Sequence, residues 1–330
     1  MKEILEHLYQ HKTLSKEEAK SVLVNIASGQ YNYNQIASFL TAFIMRNITL
    51  NELIGFREAL LELCTPVNLA TFDPIDLCGT GGDGKNTFNI STLSSFIVAG
   101  AGIYVAKHGN YGVSSISGSS NVLEFLGIQF QTEETILKHQ IENAKICFLH
   151  APLFHPAMKH VALVRKELGV KTFFNMLGPL VNPAKPKKQM IGVFNLELAR
   201  MYQYLFQEET MQYSIVHALD GFDEISLTSD CKIISNREEK IIDAAYFGFE
   251  KVDYKNLSGG NTIESASTIF MEILNGKGTD SQNQVVLANA AIAIKTHTPQ
   301  LSIEEGVEKA KDSLFGLKAL QSFNTLKQLS

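Results

Sequence analysis

The chain predicts an α/β protein, with a small helical N-terminal domain ahead of a larger α/β domain built on a mostly parallel central sheet. Three observations carry this. Residues 1–64 hold capped helical patterns. From Pro74 onward short β-rich runs alternate with helical ones, which is the pattern of a parallel sheet with crossover helices. A glycine-rich loop joins the first β-rich run to the first following helix. The expected domains are 1–66, joined by helices from about 155–182, and 72–330.

Element by element, Ser15-Lys16-Glu17-Glu18 is a capping box ahead of Ala19–Ala27, with Gly29 placed to end that helix. Thr49-Leu50-Asn51-Glu52 is a second box, opening Leu53–Leu63. Between them the strongly apolar Ile36–Met45 needs a partner face, from a neighbouring helix or a second subunit. Strands are expected at Ile75–Cys78, Ile103–Ala106, Ile146–Leu149, Met190–Phe194, Ser214–Leu219 and Ile225–Leu227. Helices are expected between them at Ser91–Ala101, Asn121–Leu126 and Leu196–Gln207. The tail, Thr262–Gln321, is again mainly helical and rich in small apolar residues.

Composition narrows the class of function. With 330 residues, 45% hydrophobic and 19% charged, the chain is expected to be a soluble, cytoplasmic globular protein. A net charge of −5 argues against broad nucleic-acid or membrane-surface binding. The 4 cysteines form no C-x-x-C pair and are expected to be reduced. No run approaches the roughly 20 apolar residues needed to span a bilayer.

The most informative segment is Cys78-Gly79-Thr80-Gly81-Gly82-Asp83-Gly84-Lys85-Asn86-Thr87-Phe88-Asn89-Ile90-Ser91-Thr92. A flexible glycine loop feeding a helix start brings unpaired N–H groups and a positive dipole end towards an anion, so phosphate or pyrophosphate is the expected guest, the alternative being a plain turn between a strand and a helix. It is not a P-loop, because Gly84-Lys85 is followed by Asn86 rather than Ser or Thr. The spacing of a dinucleotide loop is met, but the positions about 20 residues on, Ile103 to Val105, offer no carboxylate for a ribose. A second polar loop, Lys107-His108-Gly109-Asn110-Tyr111-Gly112-Val113-Ser114-Ser115, follows the next strand. In an open α/β sheet two such loops either meet in one crevice beyond the strand ends or are simply a pair of solvated loops. Asp223-Glu224, after Ser214–Leu219, could be a plain surface turn or the hard oxygen ligands of Mg²⁺ beside a phosphorylated substrate. Arg165 alone would be an ordinary helix-end cation, although its planar fork suits a carboxylate.

Taken together, Gly79–Gly84, Asn89–Thr92, Lys107–Asn110, Ser117–Ser119, Phe174–Pro183 and Asp223-Glu224 resemble anthranilate phosphoribosyltransferases over almost the whole chain. The resemblance implies a nucleoside phosphorylase/phosphoribosyltransferase-like fold and a homodimer formed through the helical part. It implies transfer of a phosphoribosyl group from phosphoribosyl pyrophosphate to anthranilate in tryptophan biosynthesis. It places Gly79, Gly82, Asp83, Thr87, Asn89, Ile90, Ser91, Thr92, Lys107, His108, Gly109, Asn110, Ser115 and Ser119 on substrate. Asn110, Arg165 and His108 would face anthranilate, and Ser91, Asp223 and Glu224 would hold Mg²⁺. No covalent nucleophile or strong base is expected. The family commonly has Arg and Ala where this chain has Tyr111 and Gly112, Arg at Lys171 and Asp at Asn121. Two rivals stay open on the sequence: a pyrimidine nucleoside phosphorylase, and a non-enzymatic nucleic-acid binder of the same fold.

Overall fold

The computed structural model describes residues 1–112 and 117–330. It divides into two compact units. The helical unit comprises Met1–Pro66 and Ala151–Pro183; the α/β unit comprises Val67–His150 and Ala184–Ser330.

In the helical unit, helices run over Lys2–Tyr9, Lys16–Ala27, Tyr33–Ile44 and Leu50–Leu63, with Lys159–Leu168 added from the later segment. Ser15 and Thr49 each close a full capping box with Glu18 and Glu52, and Asn32 does the same with Gln35. Their apolar faces meet on an aromatic core of Phe39, Phe43, Phe56 and Phe173. The Phe56 and Phe173 rings stack with centroids 4.4 Å apart. That stack ties the second segment to the bundle.

The α/β unit has a seven-stranded sheet: β1 Ile75–Gly79, β2 Val105–Gly109, β3 Ile146–His150, β4 Lys188–Gly192, β5 Gln212–Ala218, β6 Cys231–Ser235 and β7 Glu239–Ile242. Its spatial order is β3-β2-β1-β4-β5-β6-β7. The first five are parallel, with Val105 opposite Ile146 and Leu77 opposite Met190; β6 and β7 are antiparallel additions. The parallel strands are buried because helices supply their cover. The Asp280–His297 helix is buried almost all round by Val, Ala and Ile side chains and packs on β1, β4, β5 and the Ile90–Gly100 helix.

One expected strand is absent, and one hairpin appears where no strand was expected. Ile225–Leu227 is a loop, not a strand. Its apolar side chains are buried, but the N–H and C=O of Ile225 bond to the amide of Asn289 at 3.1 and 2.8 Å instead of to a neighbouring strand. A side chain distant in sequence has taken over the backbone pairing that a ladder would supply. Conversely, the β6–β7 hairpin lies in a polar stretch whose alternation is interrupted by Ser235–Glu238, where Ser235 N–H donates to the Glu238 carbonyl at 2.9 Å. The four cysteines form no disulfide, and burial pushes the thiols of Cys78, Cys147 and Cys231 upward, which keeps them protonated and unreactive.

Among the described residues no helix is long and apolar enough to cross a membrane.

Candidate active site

The strand order sets the location. From β1 the chain builds outward to β2 and β3, then returns to the other side of β1 for β4 and β5. The order reverses between β1 and β4, and a crevice opens there beyond the carboxyl ends of the parallel strands. Gly79 and Gly192, the last residues of β1 and β4, pair across it.

Asp223 sits against that pair so closely that neither glycine could carry a side chain unchanged. A Cβ on Gly192 would lie 2.6 Å from the Asp223 carbonyl carbon, and one on Gly79 would lie 3.1 Å from the Asp223 carboxyl carbon. The glycine loop then turns through Gly81 and Gly82 with φ of 62° and 75°. Gly81 N–H donates to Asp223 Oδ2 at 2.6 Å, and Thr80 N–H donates to the Gly192 carbonyl at 3.0 Å. Asp83 holds the next turn by accepting Lys85 N–H at 3.0 Å. Asn86 and Thr87 are fastened to the 258–260 segment, where Asn86 Nδ2 donates to the Gly260 carbonyl at 2.8 Å and Thr87 bridges Ser258.

Glu224 lies over the start of the Ile90–Gly100 helix and accepts Ser91 N–H at 3.0 Å. The two neighbouring carboxylates thus reach the two anion-type positions of this site, the glycine loop and the helix N-terminus. Asn289 locks the segment that carries them through Ile225.

The β2 loop supplies the rest. Lys107 is 2% exposed and its Nζ donates to the Leu77 carbonyl of β1 at 2.6 Å. His108 is buried beside it, with its N–H on Asp76 Oδ1 at 3.2 Å. The Asn110 carbonyl accepts Ser120 N–H at 3.1 Å and Ser119 Oγ at 3.3 Å, which folds the loop back on the Ser119–Phe125 helix. Asn89 Nδ2 donates to the Ser117 carbonyl at 3.1 Å, joining the two loops. Gly109 leaves room for Phe148 and Ser119. Asn121, where the family often has Asp, accepts from the N–H groups of Gly112 and Gly118 at 2.9 and 3.0 Å through Oδ1, a role either residue can fill. Tyr111 turns its hydroxyl to Glu124 at 3.3 Å and its ring edge-on to His150 at 4.8 Å, so it brings no replacement cation.

The electrostatics are those of a crowded acidic pocket. Burial and then the charge of Asp83 push the Asp223 carboxyl up to about 7. Burial followed by the charges of Asp223 and Asp83 raises Glu224 well above the usual carboxylate range, with Lys107 pulling the other way. Asp83 is raised chiefly by burial. Such a set gains from an added cation. Yet among the described residues no three Asp, Glu, His or Cys side chains are arranged to hold an ion by themselves. Two hard carboxylates and a serine hydroxyl suit Mg²⁺ whose remaining ligands are water and substrate phosphate. The donor set fits a metal that arrives with a diphosphate.

Two further buried hydroxyls, Thr80 Oγ1 and Ser117 Oγ, have no partner among the described residues. Both lie in the loops that a phosphate would fill. An unmet buried hydroxyl is costly unless a ligand satisfies it.

The structure therefore gathers Gly79, Gly82, Asp83, Thr87, Asn89, Ser91, Lys107, Gly109, Asn110, Ser119, Asp223 and Glu224 around one set of strand ends and helix starts. Ile90 and Thr92 are buried in the first helical turn. Ser115 lies outside the described residues. Arg165 belongs to the helical unit, where its guanidinium lies 5.3 Å from the centroid of the Phe174 ring and its Nη2 donates to Asn175 Oδ1 at 3.4 Å. Burial lowers its pKa, which marks a desolvated cation rather than a solvated helix-end one. Gly192 and Asn289 carry no local sequence signal of their part in the site. Gly192 ends an ordinary buried strand, and Asn289 stands in the middle of a helix where Val285–Ile294 is otherwise apolar.

Residues 72–320 match the sequence model of the glycosyl transferase family a/b domain, and residues 2–64 match that of the family's helical bundle domain. The fold and site thus define a two-domain glycosyl transferase. The anthranilate phosphoribosyltransferase of Flavobacterium psychrophilum is 60% identical over 330 residues, covering 100% of both chains. That of Thermus thermophilus superimposes with a TM-score of 0.91 at 29% identity, covering 98% of each chain. The Saccharomyces cerevisiae enzyme, solved in complex with PRPP and Mg, gives 0.91 at 27% identity over 98% of this chain and 96% of its own. With 4-fluoroanthranilate bound it gives 0.87 at 26% identity, again over 98% and 96%. This chain belongs to the anthranilate phosphoribosyltransferase family.

Proposed function

We propose that this protein transfers the 5-phosphoribosyl group of phosphoribosyl pyrophosphate to the amine of anthranilate, releasing pyrophosphate, as a step of tryptophan biosynthesis. The observation that carries the reading is the pairing of Asp223 with Gly81 N–H and Glu224 with Ser91 N–H at the reversal point of the sheet. Full-length identity of 60% to a named anthranilate phosphoribosyltransferase supports it.

In the reaction the bond from the anomeric carbon to the pyrophosphate oxygen breaks and its electron pair leaves with pyrophosphate. The nitrogen lone pair of anthranilate forms the new C–N bond, and the nitrogen loses a proton. The carbon passes through an oxocarbenium-like state, so the protein needs alignment and stabilisation of the leaving group, not a nucleophile. Ser91, Asp223 and Glu224 would hold Mg²⁺, which when bound neutralises charge on the diphosphate. Gly79, Gly82, Asp83, Thr87 and Asn89 place the phosphoribosyl pyrophosphate, helped by Thr92, Ser115, Ser119 and the backbone at Ile90 and Gly109. Lys107 adds fixed positive charge from beneath the loops. A unit charge pair at about 4 Å is worth roughly 4 kcal/mol at an effective dielectric of 20, whereas a helix terminus gives about 0.3–1 kcal/mol. Lys107 and the metal carboxylates therefore weigh more in turnover than the helix start. Asn110, His108 and Arg165 are assigned to anthranilate, the guanidinium taking its carboxylate.

A homodimer through the helical unit fits its exposed apolar residues, Tyr9, Tyr33, Ile44 and Met45. A monomeric mass by light scattering at micromolar concentration would reject it. The activity is tested by following loss of anthranilate fluorescence with phosphoribosyl pyrophosphate, with and without Mg²⁺. Pyrophosphate release only in the presence of anthranilate is expected; phosphate-dependent cleavage of thymidine or uridine instead would identify a phosphorylase.

A further inference from the structure

We infer that Lys85 is a substrate-binding cation, whose ammonium leaves an aromatic seat beside the glycine loop to take an oxygen of the pyrophosphate group. The inference rests on the phosphoribosyl transfer proposed above and adds to it a residue outside the set that the family resemblance assigned.

Charge supply is the first argument. The loops 79–92, 107–121 and 222–225 contain three site carboxylates, Asp83, Asp223 and Glu224, but only two lysines, Lys85 and Lys107, and no arginine. Tyr111 brings no charge to the second loop, and its hydroxyl is turned to Glu124. Lys107 is buried with its Nζ on the Leu77 carbonyl. A polyanionic substrate therefore finds one positive group in these loops with freedom to reorient, and that group is Lys85.

Position is the second argument. Lys85 follows Gly84 on the turn that Asp83 caps, and its own N–H is the donor to Asp83 Oδ1 at 3.0 Å. Its Nζ lies 4.8 Å from the centroid of Phe222 and 5.6 Å from that of Tyr254. Phe222 immediately precedes Asp223 in the chain, so the ammonium is parked against the segment that carries the carboxylates assigned to the metal. Its charge is felt at Asp83.

The third argument is what holds it there. Among the described residues Lys85 Nζ has ring faces and no ion pair or hydrogen bond. A lysine with a purely structural task at this acidic site would be expected to bond one of the carboxylates. Contact between an ammonium and an aromatic face is weaker than a charge-assisted hydrogen bond to a phosphate oxygen, and the four-carbon stem can redirect Nζ without moving the loop. The aromatic seat keeps the cation near the site without pairing it directly to Asp83 or Asp223 before substrate arrives.

The test is binding of inorganic pyrophosphate with MgCl₂, measured by titration calorimetry on the full chain, beside steady-state kinetics. Lys85→Met should weaken magnesium pyrophosphate binding about tenfold or more, raise the Michaelis constant for phosphoribosyl pyrophosphate similarly, and leave that for anthranilate within about twofold. Lys85→Arg should restore pyrophosphate affinity to within a few fold, and Lys85→Gln should behave as Lys85→Met. Wild-type pyrophosphate affinity in a folded Lys85→Met variant would overturn the inference. So would an effect on phosphoribosyl pyrophosphate without one on pyrophosphate, which would move Lys85 to the 5-phosphate. A wild-type protein that turns over neither substrate would instead overturn the proposed function itself.

Discussion

Replacing Gly192 by alanine probes the site through its framework, since the residue itself offers no functional group. The new methyl carbon would lie 2.6 Å from the carbonyl carbon of Asp223 and would overlap the carbonyl oxygen. Unbonded carbons prefer about 3.5–4.0 Å and the carbonyl oxygen is closer still, so the two must part by at least about 1 Å. β4 cannot yield, because it is paired to β1 on one side and β5 on the other. The movement therefore falls on the 222–225 loop, pulling Asp223 from Gly81 N–H and straining the Asn289 anchor at Ile225. Displacement of about 1 Å in a positioning group can cost about 10²-fold, and overpacking typically costs about 1–3 kcal/mol of stability. The expected result is a fall in kcat/KM of about 10²-fold with a raised Mg²⁺ requirement in a protein that still folds. The assay is anthranilate fluorescence across a Mg²⁺ series, with urea unfolding as the stability measure. A Gly192→Ala enzyme within threefold of wild type would refute the close approach as the determinant of Asp223's position.

Three further outcomes follow from the same geometry. Arg165→Ala should raise the Michaelis constant for anthranilate about 10–100-fold, as expected for a lost charged hydrogen bond, and that for phosphoribosyl pyrophosphate much less; equal effects would contradict its role. Asp223→Asn with Glu224→Gln should lower turnover by about 10²–10³-fold and abolish its dependence on Mg²⁺, and a retained Mg²⁺ response would remove both from the metal site. Burial pushes His150 and His155 down to about 4, so each stays neutral in the fold and gains its proton only on unfolding between about pH 6.5 and 4. The unfolded chain then binds more protons, and stability falls as pH drops through that window, by at most about 3 kcal/mol per group. His150→Asn should flatten the acid limb measured by urea midpoints; an unchanged limb would show that His150 does not contribute.

Helix starts and parallel strands are legible in the sequence because their signals are local. A capping box such as Ser15–Glu18 satisfies its own N–H groups within four residues, and a buried parallel strand such as β1 needs only a short apolar run. The glycine loop and its helix start are likewise local, but spacing alone does not separate an anion site from a plain turn between strand and helix. Ile225–Leu227 imitates a strand because burial and strand pairing are different requirements, and Asn289, 64 residues away, meets the second. The β6–β7 hairpin hides in the sequence because half its residues are polar.

Residue order alone determined which chemistry this chain can offer: glycine N–H groups, hydroxyls, two lysines and a carboxylate pair in the order of a known transferase family. Only tertiary structure decided where that chemistry converges. The reversal of strand order between β1 and β4 brings Gly79 to Gly192 and seats Asp223 on both, although 144 residues separate Gly79 from Asp223. Such meetings depend on sheet register and on a buried amide 64 residues beyond Ile225, and neither leaves a mark in the local pattern from which a sequence is read.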